Sequence, residues 1–273
     1  MVTQEQRRRQ LAREKFLRQQ QRRTSARRKS RMRNSVIASV LGVIVIGSIV
    51  LYTTNFLKGD DKANASSQTT PSAAPSASKA PDPCAKPAAG KVAKLSWKKE
   101  PAMTIDTSAN YTMKLATTCG DIGIALKTAA APHTVNSFDF LAAKGYFDHT
   151  KCHRLTTNGI YVLQCGDPTA TGSGGPGYTI PDENLKDKSL AGGVYPAGTI
   201  AMANTGQKHT GGSQFFLVYQ DSQLPASYTP FGTVDAAGLK VLKKIAAAGE
   251  STGGGDGAPN ATVVINKATV TKS

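Results

Sequence analysis

Residues 152–168, CHRLTTNGIYVLQCGDP, set a histidine, an arginine and a glutamine between two cysteines. Such a set could hold a metal, arm a nucleophile, or stabilise charge without covalent chemistry. Metal is disfavoured: Cys152, His153 and Cys165 lack the Cys-x-x-Cys spacing of zinc sites, and neighbours on a strand point to opposite faces. The chain has four histidines and no His-Glu-x-x-His, so no metal and no other cofactor is expected. Nucleophilic catalysis has no Gly-x-Ser-x-Gly elbow to use, and Ser213 in GGSQFF has no base in its sequence context. The stretch GSGGPG (172–177) matches Gly-x-Gly-x-x-Gly, but a proline lies inside it and no helix follows, which makes it a loop. What remains is Arg154 and Gln164 on one hairpin, AMAN (201–204) ending in Ala203 and Asn204, and GGSQFF (211–216) carrying Gln214 and Phe216. An arginine with no acidic neighbour in its own strand is either a solvated strand residue or a fixed cation beside a pocket. Together these groups suit binding a peptide, and none of them breaks a covalent bond.

The elements that must hold these residues are mostly strands. YTMKLATT and GDIGIAL alternate around a Cys-Gly turn and read as a hairpin; CHRLT and YVLQC read as a second one across Thr157-Asn158-Gly159. GTIAMA, QFFLVY, PFGTV and TVVINKATV supply four more strands. One helix is expected from Thr134 to Gly145, another from an Asp235 N-cap to Gly249 with Leu239, Leu242 and Ile245 facing inward. Eight strands and two helices point to an all-β-dominated domain, a closed eight-stranded antiparallel barrel capped by two α-helices. A βαβ fold is disfavoured because few strands are separated by helices. If the second hairpin forms, Cys152 and Cys165 meet at its open end and suit a cross-strand disulfide. Cys84 and Cys119 are then left to pair.

The first third of the chain has another character. Of a formal net charge of +16, residues 1–33 carry +11, from thirteen Lys or Arg and two Glu. The basicity is a tail, and no nucleic-acid partner is inferred from it. No charge appears between Arg33 and Lys58, so residues 36–57 are expected to span a membrane as a helix. The positive-inside rule puts residues 1–35 in the cytoplasm and the rest outside, where disulfides persist. The alternative is secretion after cleavage near Ala63-Asn64-Ala65. Residues 58–100, rich in Ala, Ser and Pro, are expected to be a flexible linker, and 101–273 the folded domain, monomeric in its catalytic part.

The ordered run CHRL…VLQCGDP, TIAMANTG, GGSQFFLVY and PFGTV, over 111–271, resembles the cyclophilins, the peptidyl-prolyl cis-trans isomerases. The tail, span and tether are similar to membrane-anchored cyclophilins of high-GC Gram-positive bacteria. The resemblance implies the capped barrel and an isomerase acting on proline-containing polypeptides in folding extracytoplasmic proteins. It assigns the essential arginine to Arg154 and the active-site glutamine to Gln164. Asn204 joins them as a third catalytic position, and substrate contacts fall on Tyr161, Val162, Ala203, Gln214, Phe216, Leu224 and Tyr228, with Phe216 flooring the proline pocket. Three departures stand out. The turn Thr156–Ile160 is about two residues longer than usual, Tyr228 replaces a histidine, and Gln223 stands where cyclosporin-sensitive members carry tryptophan. Weak cyclosporin binding is therefore expected. The competing reading is a catalytically inert peptide-binding or chaperone module of the same shape.

Overall fold

The computed structural model describes residues 81–272. The basic tail, the expected span 36–57 and linker residues 58–80 lie outside the described residues. Among the described residues, no helix is long and apolar enough to cross a membrane.

In chain order the elements are β1 (Tyr111–Thr117), β2 (Gly120–Leu126), α1 (Pro132–Ala143), β3 (Thr150–Lys151), β4 (Arg154–Thr156) and β5 (Val162–Cys165). They continue as β6 (Val194–Tyr195), β7 (Thr199–Met202), β8 (Phe215–Val218) and β9 (Ser222–Gln223). The last are β10 (Pro230–Val234), α2 (Ala236–Ala247), β11 (Asp256–Gly257) and β12 (Val264–Lys272). The eight strands expected from sequence are β1, β2, β4, β5, β7, β8, β10 and β12. The other four are two residues long, too short to leave an alternating pattern.

The strands pair as one ten-stranded antiparallel sheet in the order β11-β4-β5-β8-β7-β10-β2-β1-β12-β3, beside a β6-β9 pair. The short strands β3 and β4 pair on opposite sides of that order and are joined by Cys152-His153. The Cys152 amide donates to Val263 O (3.0 Å) beside β12, and the His153 amide donates to Gln164 O (3.0 Å) on β5.

Alternation decides which side of each strand meets the core. Met113 and Leu115 of β1 face Ile122 and Ile124 of β2 inside, with Phe138 of α1 packed on Phe147, Phe215 and Phe231 at 4.6–5.6 Å. Helix α1 starts at Pro132, two residues before the expected Thr134. Proline suits a first helical position, where its missing N–H costs nothing. No local side chain caps it; instead Glu183 accepts from the amides of His133 (3.0 Å) and Thr134 (2.8 Å). Helix α2 follows expectation: Asp235 accepts from the Gly238 amide at 2.6 Å, and Leu242 and Ile245 are buried while Leu239 is half-buried.

Both expected disulfides are present, Cys152–Cys165 and Cys84–Cys119. The second changes the domain boundary. Residues 81–100, assigned by composition to the flexible linker, run along the folded unit as an extended strap. The Ala85 amide donates to Thr118 O (2.8 Å), Ala88 to Asn266 Oδ1 (3.0 Å), and Trp97 to Pro176 O (2.8 Å). The Trp97 ring meets Phe140 edge-on at 5.0 Å. Few large side chains are needed when a covalent staple and a single indole hold an extended segment, so composition read it as tether.

Replacing Cys84 and Cys119 together by serine frees a loop of this length in the unfolded chain and is expected to lower stability by about 2–4 kcal/mol. A urea titration checks this; an unchanged midpoint at equal slope would show that the strap needs no staple.

Candidate active site

The register of three ladders sets the site. Arg154 on β4 lies opposite Gln164 on β5, Gln164 opposite Phe216 on β8, and Phe216 opposite Ala201 on β7. Directly opposed residues share a face, so a guanidinium, a carboxamide and a phenyl ring stand in one row. The alternate residues of the same strands, Leu155, Leu163, Phe215, Leu217 and Ile200, belong to the main core. The outward set builds a second apolar cluster: Val162, Leu190, Tyr195, Ala201, Phe216 and Val218, with Ile160, Ala203, Leu224 and Tyr228 against it.

That cluster surrounds a cavity of about 110 Å³ lined by Arg154, Ile160, Val162, Gln164, Ala203, Asn204, Phe216, Leu224 and Tyr228. Phe216 forms the floor, and the Tyr228 ring meets it edge-on at 5.4 Å and 84°. Tyr228 is held by its backbone: the buried Tyr195 hydroxyl donates to Tyr228 O (2.8 Å) and accepts from its amide (3.2 Å).

Arg154 sits at the rim in a fixed plane. Its Nε and Nη2 donate to the two oxygens of Asp256 at 2.7 and 2.8 Å, and Nη1 donates to Gln164 Oε1 at 3.2 Å. Gln164 Nε2 in turn donates to Gln214 Oε1 (2.9 Å), and Gln214 Nε2 to Gly174 O (2.9 Å). The hydrogen bond with Asp256 pushes the Arg154 pKa further up, and that with Arg154 pulls the Asp256 carboxyl down. A guanidinium has five N–H groups; three are used here, and one each on Nη1 and Nη2 stays available.

Eight of the ten expected site residues line the cavity. Tyr161 does not: it lies next to Val162, so its side chain takes the other face and packs 5.9 Å from Tyr219. Gln214 lies behind Gln164 and is hydrogen-bonded to it. The Asn204 side chain donates to Ser227 O (2.8 Å) and accepts from the Gly206 amide (2.9 Å), so it shapes the rim by joining two loops. Sequence reading missed Asp256, Ile160 and Tyr195. Asp256 is 102 positions from Arg154, on a two-residue strand paired to β4, and no local pattern marks it. Alternation from Val162 was the available signal for Ile160. His153 points away from Arg154; neither ring nitrogen has a hydrogen-bond partner, and burial lowers its pKa toward the neutral form.

The loop beyond Gln164 is organised by Asp167, whose side chain is buried (0% exposed). Its carboxylate accepts from the amides of Thr169, Thr171, Gly172 and Gly174 and from the Thr169 hydroxyl. Burial alone would raise this pKa; the Thr169 hydroxyl and the loop amides outweigh it and hold the group at about 2.

The family described as cyclophilin-type peptidyl-prolyl cis-trans isomerase/CLD matches residues 112–270. A probable peptidyl-prolyl cis-trans isomerase B of Mycobacterium leprae is 49% identical over 199 residues, covering 70% of this chain and 63% of that one. The Mycobacterium tuberculosis protein of the same description is 48% identical over 165 residues, 58% and 53% of the two chains. Bacillus subtilis peptidyl-prolyl cis-trans isomerase B is 41% identical over 117 residues, 42% of this chain and 76% of that one. A crystal structure of a Cryptosporidium parvum cyclophilin-type isomerase aligns at TM-score 0.49 and 25% identity, over 60% of this chain and 99% of that one. The chain belongs to the cyclophilin-type peptidyl-prolyl cis-trans isomerase family, and its sheet with two helices is the cyclophilin fold. It spans between about half and two thirds of the length of the mycobacterial relatives.

Because an unfolded Asp titrates near ~3.9, the ionised Asp167 stabilises the fold fully above about pH 4, and loses that contribution as the pH falls toward 2. The size is about 2.5 kcal/mol, from a shift of nearly two pKa units. Urea midpoints taken from pH 2 to 7 are expected to show this slope in the wild type. In Asp167→Asn the slope flattens and neutral-pH stability drops; an unchanged profile would refute the assignment.

Proposed function

We propose that the chain is a peptidyl-prolyl cis-trans isomerase acting on extracytoplasmic proteins during folding. The observation that carries this reading is a guanidinium fixed beside a small apolar pocket floored by Phe216. Resonance gives the peptide bond a rotation barrier of about 18–20 kcal/mol, and X-Pro bonds isomerise over tens to hundreds of seconds unaided. In the twisted transition state conjugation is lost and the proline nitrogen becomes pyramidal, with a free lone pair. A donor aimed at that nitrogen stabilises the twisted amide and not the planar one, which is the condition for catalysis.

Arg154 takes this role with its remaining Nη hydrogens. Phe216, Val162, Leu224, Tyr228 and Ile160 hold the prolyl ring, Gln164 and Gln214 orient the guanidinium, and Ala203 and Asn204 form the rim that receives the peptide backbone. Asp256 is a positioning residue: it fixes the guanidinium plane before substrate arrives. No cofactor enters the scheme. With Gln223 at the position discussed above, cyclosporin binding is weak, and nanomolar inhibition would contradict that.

Residues 36–57 anchor the chain, with 1–35 cytoplasmic and the isomerase domain outside. The apolar run flanked by thirteen basic residues and the two disulfides support this placement. The family's closed barrel is our reading of the sheet, supported by the dipeptide Cys152-His153 that bonds to both of its flanks.

Arg154→Ala is expected to fold and to lose about 10²–10³ in kcat/KM in a protease-coupled assay on an X-Pro peptide, the cost of removing one preorganised donor. Full retention would refute the role given to Arg154, whereas a wild type without activity in the same assay would favour the catalytically weak or inert peptide-binding module. Protease shaving of intact cells tests the placement: the domain should be released, whereas a protected domain overturns it, and a free full-size domain in the medium indicates cleavage near Ala63–Ala65.

A further inference from the structure

We propose that the cleft beside the proline pocket binds an acidic side chain flanking the X-Pro bond, drawn there by Lys98 and Lys99 of the strap. The inference rests on the isomerase reading only for where the proline sits. The cleft, about 1040 Å³, shares Gln164, Ala203 and Asn204 with the proline pocket, so a polypeptide leaving one enters the other. An extended chain advances about 3.3 Å per residue, which brings side chains one to three residues from the proline into it. Its lining includes the loop 172–179, ordered by Asp167, and Lys98, Lys99 and Glu100 of the strap.

Lys98, Lys99 and Glu100 are the charged residues lining this cleft. Glu100 is already engaged, accepting from His133 Nδ1 at 2.7 Å. Among the described residues neither lysine takes part in a salt bridge. The remaining lining is Gly, Ser, Thr, Asn, Gln, Pro, Ala and Tyr, so two lysines against one glutamate leave the cleft net positive. A concave wall with one sign of charge concentrates the opposite charge.

The backbone that carries these ammonium groups is pinned on both sides. Before them, the Trp97 amide donates to Pro176 O and its ring packs on Phe140. After them, Asn136 Nδ2 donates to Ala102 O (3.0 Å) and its Oδ1 accepts from the Thr104 amide (2.9 Å). The loop meets the strap at Gly177, where an added Cβ would come within 2.6 Å of Trp97 O. The two lysines are thus held over the cleft by a built support.

The test uses the full chain and a set of X-Pro peptides identical except for Glu, Gln or Lys at each position within three residues of the proline. Both affinity, by titration calorimetry, and kcat/KM are measured. At low salt, a Glu peptide is expected to exceed its Gln counterpart by about fivefold, which corresponds to ~1 kcal/mol for an exposed ion pair. In 1 M salt, where the screening length is ~3 Å, the ratio should approach one. The Lys98→Glu, Lys99→Glu double variant should invert the preference toward the Lys peptide, an outcome that loosening of the strap would not produce. Trp97 fluorescence, from the single tryptophan of the chain, confirms that the strap stays docked. Equal binding and turnover of Glu, Gln and Lys peptides, or a preference unmoved by the double variant, overturns the proposal. Acid-selective binding without isomerisation keeps this inference and sinks the isomerase reading.

Discussion

A guanidinium is useful to a twisting amide only while its plane is held, because a mobile cation loses in orientation what it gains in charge. Here the plane is set by a two-pronged hydrogen bond to Asp256 and a third bond to Gln164. Such pairs are geometrically specific as well as strong. The carboxylate also offsets part of the positive charge, so the arrangement trades field strength for direction. Two N–H groups are left facing other partners, and they are the ones a pyramidal nitrogen could meet. Everything else around the site supports that one side chain or the ring slot beside it.

The sheet provides the support by having two apolar faces where most antiparallel sheets have one. Strands β7 and β8 are buried along their whole length. One set of alternate residues fills the main core, and the other floors the pocket. A shift of one residue in register would exchange Phe216 for a core phenylalanine and turn Gln164 inward, so the site is as strongly specified as the core itself. The Cys152–Cys165 bond closes the same hairpin on which Arg154 and Gln164 stand. In this way the cysteines that first suggest a metal site brace the hairpin instead.

The strap extends the folded domain beyond the small pocket beside Arg154. It adds no strand to the sheet, yet the staple at Cys84 and the indole of Trp97 fasten it at two places. Between helix α1 and the loop ordered by Asp167 it adds Lys98, Lys99 and Glu100 to the lining of a cleft. Its sequence looks like tether because burial of one ring and a disulfide leave most of its residues free to be small and polar.

What the amino-acid sequence by itself determined is whatever depends on neighbours along the chain. Alternation in YTMKLATT, CHRLT and QFFLVY announced the principal strands, Asp235 announced the cap of α2, and the ordered motifs placed Arg154, Gln164, Phe216, Leu224 and Tyr228 around one pocket. Tyr161 falls outside that pocket because alternation along its strand turns it to the face opposite Val162. Only the tertiary structure decided the partners that meet across distance: Asp256 with Arg154, Glu183 with the start of α1, Tyr195 with the backbone of Tyr228, and the strap with the loop at Gly177. These contacts join residues about 30 to 100 or more positions apart through short strands and loops. Side-chain periodicity is a property of local backbone geometry, so it carries no record of which distant segments the folded chain brings side by side.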